Sequence, residues 1–122
     1  MLIAVLVIGG ALGAPARFLV DGWIEPRVRS VFPWGTFVVN VSGSFVLGIV
    51  TGLALYHGLG DIPRAALATG FCGAYTTFST FSYETVLLFE TGEHRRAIGN
   101  ALGSIALGLV AAGLGLAITA AL

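Results

Sequence analysis

The densest run of chemistry-bearing side chains lies between positions 70 and 84, which read Gly70-Phe71-Cys72-Gly73-Ala74-Tyr75-Thr76-Thr77-Phe78-Ser79-Thr80-Phe81-Ser82-Tyr83-Glu84. Glycine with clustered Ser and Thr suits a helix break. A break frees backbone carbonyls and N–H groups that protein, water or an ion must bond. Freed carbonyls favour a cation, whereas hydroxyl donors and the positive edges of aromatic rings favour an anion. Phe78 and Phe81, three residues apart, face nearly the same way on a helix; on spacing alone they read as core aromatics. Asn40 brings an amide with donors and an acceptor, all of which need partners inside a bilayer. It serves equally as helix–helix glue or as part of a polar path. Enzyme chemistry finds no footing. The candidate nucleophiles Cys72 and Ser79 have no histidine in any apolar run, since His57 and His94 fall in loops.

Composition says what must position these residues. Of 122 residues, 57% are apolar and only 10% charged, against about a quarter charged in a soluble domain; the mean hydropathy is +0.96. Six arginines, no lysine and six Asp/Glu give zero net charge, which removes the long-range attraction on which nucleic-acid binding depends. A single cysteine excludes an internal disulfide framework and a cysteine-based zinc site. Leu2–Val20 is apolar apart from Arg17, and Trp34–Tyr56, Ala65–Tyr83 and Ala97–Leu122 hold no charge at all. Each run reaches the roughly 18 residues that cross a bilayer as a helix. The expected fold is therefore an all-α membrane protein, a single transmembrane domain over 1–122 with helices at about 2–20, 34–56, 62–89 and 97–122. The third is broken mid-membrane, and both termini lie on one side. Trp23, Phe32, Trp34, Tyr56 and Phe89 fall at the borders, where rings meet headgroups. Leu2–Leu12 followed by Ala14-Pro15-Ala16 imitates a cleaved signal, but the absence of a basic residue before it and the proline beside the cut point to a retained helix.

Spacing-four stripes mark helix faces. They are Gly9, Gly13 and Arg17; Thr36, Asn40, Ser44, Gly48 and Gly52; and Asn100, Ser104 and Gly108 with Gly99 and Gly103 alongside. In lipid, small residues permit close backbone contact, so the glycines read as packing surfaces.

The string Gly70-Phe71-Cys72-Gly73…Thr76-Thr77-Phe78-Ser79-Thr80-Phe81…Glu84 resembles the signature of the small bacterial fluoride channels, the Fluc family. So do Gly9-Gly10…Gly13…Arg17-Phe18 and Gly35-Thr36…Val39-Asn40…Gly43. The likeness runs through all four apolar runs in matching order. It implies four-helix subunits inserted as an antiparallel dimer in the cell inner (plasma) membrane. Two fluoride pores would follow the dimer interface around a central structural sodium ion, exporting fluoride passively and conferring fluoride resistance. By position, Phe78 and Phe81 resemble the family's pore phenylalanines, and Asn40 its pore asparagine. Thr77, Ser79 and Thr80 resemble hydroxyls beside the path, and Ser104 a serine of the polar track in the last helix. Gly73 and Thr76 resemble the residues whose backbone carbonyls hold sodium. Arg17 and Glu84 resemble vestibule residues. The chain departs from the pattern at Gly108, where a second serine is expected, and at Asn100, where a larger polar or aromatic residue is expected.

Loop charge adds a further expectation. Arg27, Arg29, Arg95 and Arg96 share one side, against Arg64 alone on the other. The positive-inside rule then places the termini outside. A homodimer built from both orientations should be balanced, so the partner is either a second copy or a homologous chain of opposite topology. Two rivals remain: a small multidrug exporter, which needs a carboxylate that Leu2–Val20 lacks, and a non-transporting packing subunit, which leaves the hydroxyls and rings of 76–81 unexplained.

Overall fold

Helices form wherever the chain is free of charge and turn residues, and the chain contains no strand. The computed structural model describes residues 1–122. Its elements are α1 (Leu2–Val28), α2 (Trp34–Tyr56), α3 (Asp61–Arg64), a π-helical stretch (Ala65–Cys72), α4 (Gly73–Tyr75), α5 (Phe78–Glu90) and α6 (His94–Ala121). Three of these, α1, α2 and α6, are long and apolar enough to cross a membrane.

Besides α6, which starts at His94 rather than near 97, two features differ from the sequence expectation. The first helix runs to Val28 rather than ending near 20, carrying Asp21, Glu25 and Arg27 on its last turns. A change from lipid to water ends an apolar run but not a helix, and Arg27 near the C-terminus suits the helix dipole. Its cap is Arg29, a non-glycine residue at φ 46°, whose Nε returns to the Pro26 carbonyl at 3.2 Å. The second difference is the π-helical stretch: its wider turns pass unnoticed in an apolar run that has no polar face to betray the period.

The α5–α6 connection shows why a three-residue turn suffices. Gly92 takes φ +82°, its N–H reaches the Phe89 carbonyl, and the Glu93 N–H reaches Leu88 at 2.8 Å. That is a Schellman closure, and glycine adopts its left-handed residue without steric cost.

Packing is glycine-led. The most extensive helix contact joins α2 to α6. A Cβ at Gly48 would strike the Ala112 backbone, one at Gly115 the Phe45 carbonyl, and one at Gly52 the Thr119 side chain. The same holds where α1 meets 65–75: a Cβ at Gly9 would collide with the Ala66 carbonyl and one at Gly13 with that of Phe71. The glycine stripes are thus the surfaces along which backbones touch. At the far end, His57 Nε2 lies 2.7 Å from the Thr119 carbonyl, so α2 and α6 finish together. Only 20 of 122 residues are buried, while Leu12, Phe18, Phe78 and Leu109 are more than 60% exposed. An apolar exterior of this extent belongs against lipid or another chain.

Candidate functional site

The centre of the molecule is the point where the helix opens. Thr76 (φ −78°, ψ 159°) and Thr77 (φ −144°, ψ 118°) are extended, separating 61–75 from α5. The freed backbone groups are met by side chains. Asn40, on the second turn of α2, accepts from the Thr77 N–H through Oδ1 at 2.9 Å and donates from Nδ2 to the Thr77 carbonyl at 3.0 Å. Thr77 in turn caps α5, its Oγ1 accepting from the Thr80 N–H at 3.1 Å. In an unbroken helix those two N–H groups would have bonded the carbonyls four residues back, on Gly73 and Thr76. Both carbonyls lose their helical donors here because Asn40 and Thr77 Oγ1 take them. The Thr76 hydroxyl is turned away and donates to the Cys72 carbonyl at 2.8 Å.

A cavity of about 380 Å³ opens beside the break. The structure brings seven of the sequence-derived site residues to its wall: Asn40, Gly73, Thr76, Thr77, Phe78, Phe81 and Ser104. The two phenyl rings sit 6.1 Å apart with planes inclined by 44°. Phe78 is 81% exposed, so its ring stands on the surface of this chain rather than in its core. Asn40 keeps one amide hydrogen beyond its bond to Thr77. The donor set of this wall is therefore one amide N–H, the Thr77 hydroxyl and ring edges, with no cationic side chain, since the hydroxyls of Ser44, Thr76 and Ser104 donate within the chain. The acceptor set is the pair of stripped carbonyls. Hard cations accept carbonyl oxygens, and two such carbonyls are too few without further oxygens from elsewhere.

The other expected residues fall to different places. Thr80 and Arg17 line a second cavity of about 240 Å³, together with Asp21, Thr36 and Thr77. Thr77 is the residue common to both. Ser79 is exposed, with its hydroxyl 3.4 Å from Thr77 Oγ1. Glu84 accepts from the Thr36 hydroxyl and lines a third cavity, beneath the 29–33 loop, with Glu93. On α6, Ser104 donates to Asn100 Oδ1 at 3.4 Å. Asn100 is fully buried and its Nδ2 donates to Thr85, whose hydroxyl donates to the Phe81 carbonyl. Asn100 therefore ties α6 to α5 behind the ring. At Gly108 a Cβ would reach Ser44 Oγ at 3.4 Å, in ordinary contact, and the Ser44 hydroxyl is bonded back to the Asn40 carbonyl.

Sequence reading missed Thr85, Ser42 and Asp21. Ser42 meets the Tyr75 hydroxyl at 2.9 Å, fixing the last turn before the break against α2. Its signal was the spacing of two from Asn40, off the polar stripe. Asp21 lay beyond the expected end of the first helix.

The comparisons with known proteins meet this geometry. The profile of the CrcB-like protein, Camphor Resistance (CrcB) family matches residues 4–116. The chain belongs to the CrcB-like family. A protein of Leifsonia xyli subsp. xyli named fluoride-specific ion channel FluC 1 is 51% identical over 116 residues, covering 95% of this chain and 85% of that one. A fluoride-specific ion channel FluC 2 of Moorella thermoacetica is 53% identical over 108 residues, covering 88% and 87%. The corresponding FluC 1 protein of Streptomyces avermitilis is 51% identical over 108 residues, with the same coverage. This CrcB-like chain is a membrane-embedded, multi-pass protein, and its relatives are named as ion channels rather than enzymes.

Proposed function

We propose that this chain is a fluoride-selective channel subunit that exports fluoride passively, with four crossings per subunit, the third made of 61–75 and α5 across the break. The observation that carries the reading is the Asn40–Thr77 pair, which holds a helix open beside a cavity walled by Phe78 and Phe81. Fluoride is small and strongly hydrated, so passage needs close donors in a narrow bore. Several weak donors in series bind an ion without trapping it, and an amide N–H, the Thr77 hydroxyl and ring edges make such a series. The relatives' names agree on fluoride.

The conduit lies between two subunits inserted antiparallel. Support comes from Phe78, which this chain leaves on its surface, and from the cavity, which a single chain does not enclose. The same pairing gives the two stripped carbonyls of Gly73 and Thr76 a symmetric partner pair. A sodium ion held by four carbonyls fits an oxygen donor set with no acidic ligand among it. When bound, such an ion supplies charge that joins the subunits. Arg17, Thr36 and Thr80 form the vestibule that feeds anions to Thr77.

Fluoride-electrode recording of efflux from liposomes carrying the purified protein tests the function, with chloride as the control. Fluoride release without chloride release is expected, and equal release of both ions, or release of neither even with a homologous chain of opposite topology reconstituted alongside, overturns it. A second reading of the partnership has its own support. Only Asp61 and Arg64 carry charge between α2 and the π-helical stretch, whereas the opposite end holds Arg27, Arg29, Arg95 and Arg96. Such a bias suits a chain of fixed orientation paired with a homologous chain of opposite topology. Robust efflux from this chain alone excludes an obligate pair.

A further inference from the structure

Two carboxylates from the last turns of α1 close on the start of α2. Glu25 Oε1 accepts from the Gly35 N–H at 3.2 Å. One turn earlier, Asp21 Oδ1 is buried and makes no hydrogen bond within the chain, the only buried side-chain polar atom so placed. Glycine at position 35 is what admits it, since a Cβ there would collide with that oxygen. The positive end of a 23-residue helix is a favourable place for a carboxylate. Asp21 also lines the 240 Å³ cavity with Arg17. The two are four residues apart on one helix face, the spacing at which opposite charges pair. They form no ion pair, for the chain's one ion pair joins Arg96 to Glu93. The Arg17 guanidinium also makes no hydrogen bond inside the chain, while Glu84, the carboxylate facing the region from α5, is occupied by the Thr36 hydroxyl. A fixed anion and a free cation thus face one small cavity whose far wall is Thr77.

We infer that Asp21 sets the channel's sensitivity to fluoride: its charge offsets Arg17 in the cavity leading to Thr77 and raises the fluoride concentration needed to fill the path. This rests on the fluoride-channel reading above. Charges lining a narrow cleft set the local concentration of a passing ion, so removing one of opposite effect to Arg17 changes occupancy rather than the intrinsic rate of passage. Asp21 acts through the field and is not a ligand of the anion.

The test is single-channel or ensemble fluoride conductance against fluoride concentration for the wild type, Asp21→Asn and Asp21→Ser. The neutral variants are expected to half-saturate at a fluoride concentration lower by roughly threefold to tenfold, with the saturating conductance held. The shift should shrink as an impermeant salt raises ionic strength, because screening weakens a field but not a packing contact. Asn preserves the shape of the side chain and Ser empties it, so a shift common to both belongs to the charge. A conducting wild type with half-saturation unchanged in both variants overturns this inference alone, as does a shift indifferent to ionic strength. A wild type that passes chloride as readily as fluoride, or that passes neither ion alone or with a homologous partner of opposite topology, overturns the channel reading and this inference with it.

Discussion

The Asn40 amide and the Thr77 peptide group face each other as a two-point pair, N–H to Oδ1 at 2.9 Å and Nδ2 to carbonyl at 3.0 Å. One side chain on α2 therefore satisfies both backbone groups of the residue at which the neighbouring helix opens. Replacing Asn40 by Asp turns the donor into a second acceptor aimed at the Thr77 carbonyl and places a negative charge on the cavity wall. Fluoride efflux from liposomes should fall to background. Asn40→Ala removes both hydrogen bonds to Thr77, and thermal unfolding in detergent should report a loss of about 1–3 kcal/mol.

Phe78 and Phe81 separate function from folding differently. Phe78 is 81% exposed, so Phe78→Ile removes little packing within the chain. Phe81→Ile keeps the volume apolar in a half-buried position. Both variants should abolish fluoride efflux while chemical cross-linking still finds dimers. Wild-type rates in both would remove the rings from the path.

How much of this was legible beforehand depends on where each feature is encoded. The apolar runs announced α1, α2 and α6 because the requirement they answer, a length of uninterrupted hydrocarbon, is local. The break was legible only to within 70–84. Glycine and hydroxyls say that a helix can open, but the residue at which it does is chosen by Asn40, which lies 37 positions away in sequence. The site residues fell into two cavities rather than one for a similar reason. Thr77 and Thr80 are three apart on the chain, yet Thr80 faces Arg17 while Phe81 faces Ser104. Asp21 could not be found from hydropathy at all, because a charged residue past the apolar limit reads as loop. Only the continued helix carries it back to α2.

The α1 glycines bear on stability alone. Gly13 lies against the Phe71 carbonyl and near the Tyr75 N–H, so α1 sits directly on the turns that precede the break. Gly13→Val should cost roughly 1–3 kcal/mol or more through forced separation of the backbones. Gly22, where a Cβ meets nothing within 4 Å, should accept alanine with an unchanged melting profile. Size-exclusion recovery after graded heating measures both.

The proposed sodium site would depend on the ownership of two hydrogen bonds. The Gly73 and Thr76 carbonyls are available to an ion because Asn40 takes the Thr77 N–H and Thr77 takes the Thr80 N–H. If sodium sits between two such pairs, replacing it by N-methylglucamine during purification should lower the dimer fraction and the fluoride flux together. The Asn40→Ala variant supplies the decisive comparison. Without its amide, the Thr77 N–H is free to return to the Gly73 carbonyl, closing the helix over the oxygen that the ion needs. The dimer fraction of that variant should then be low in sodium and in its absence alike. A wild-type dimer indifferent to the exchange would leave the stripped carbonyls without an ion to serve, and a variant that kept the wild type's sodium response would show that Asn40 does not hold them open.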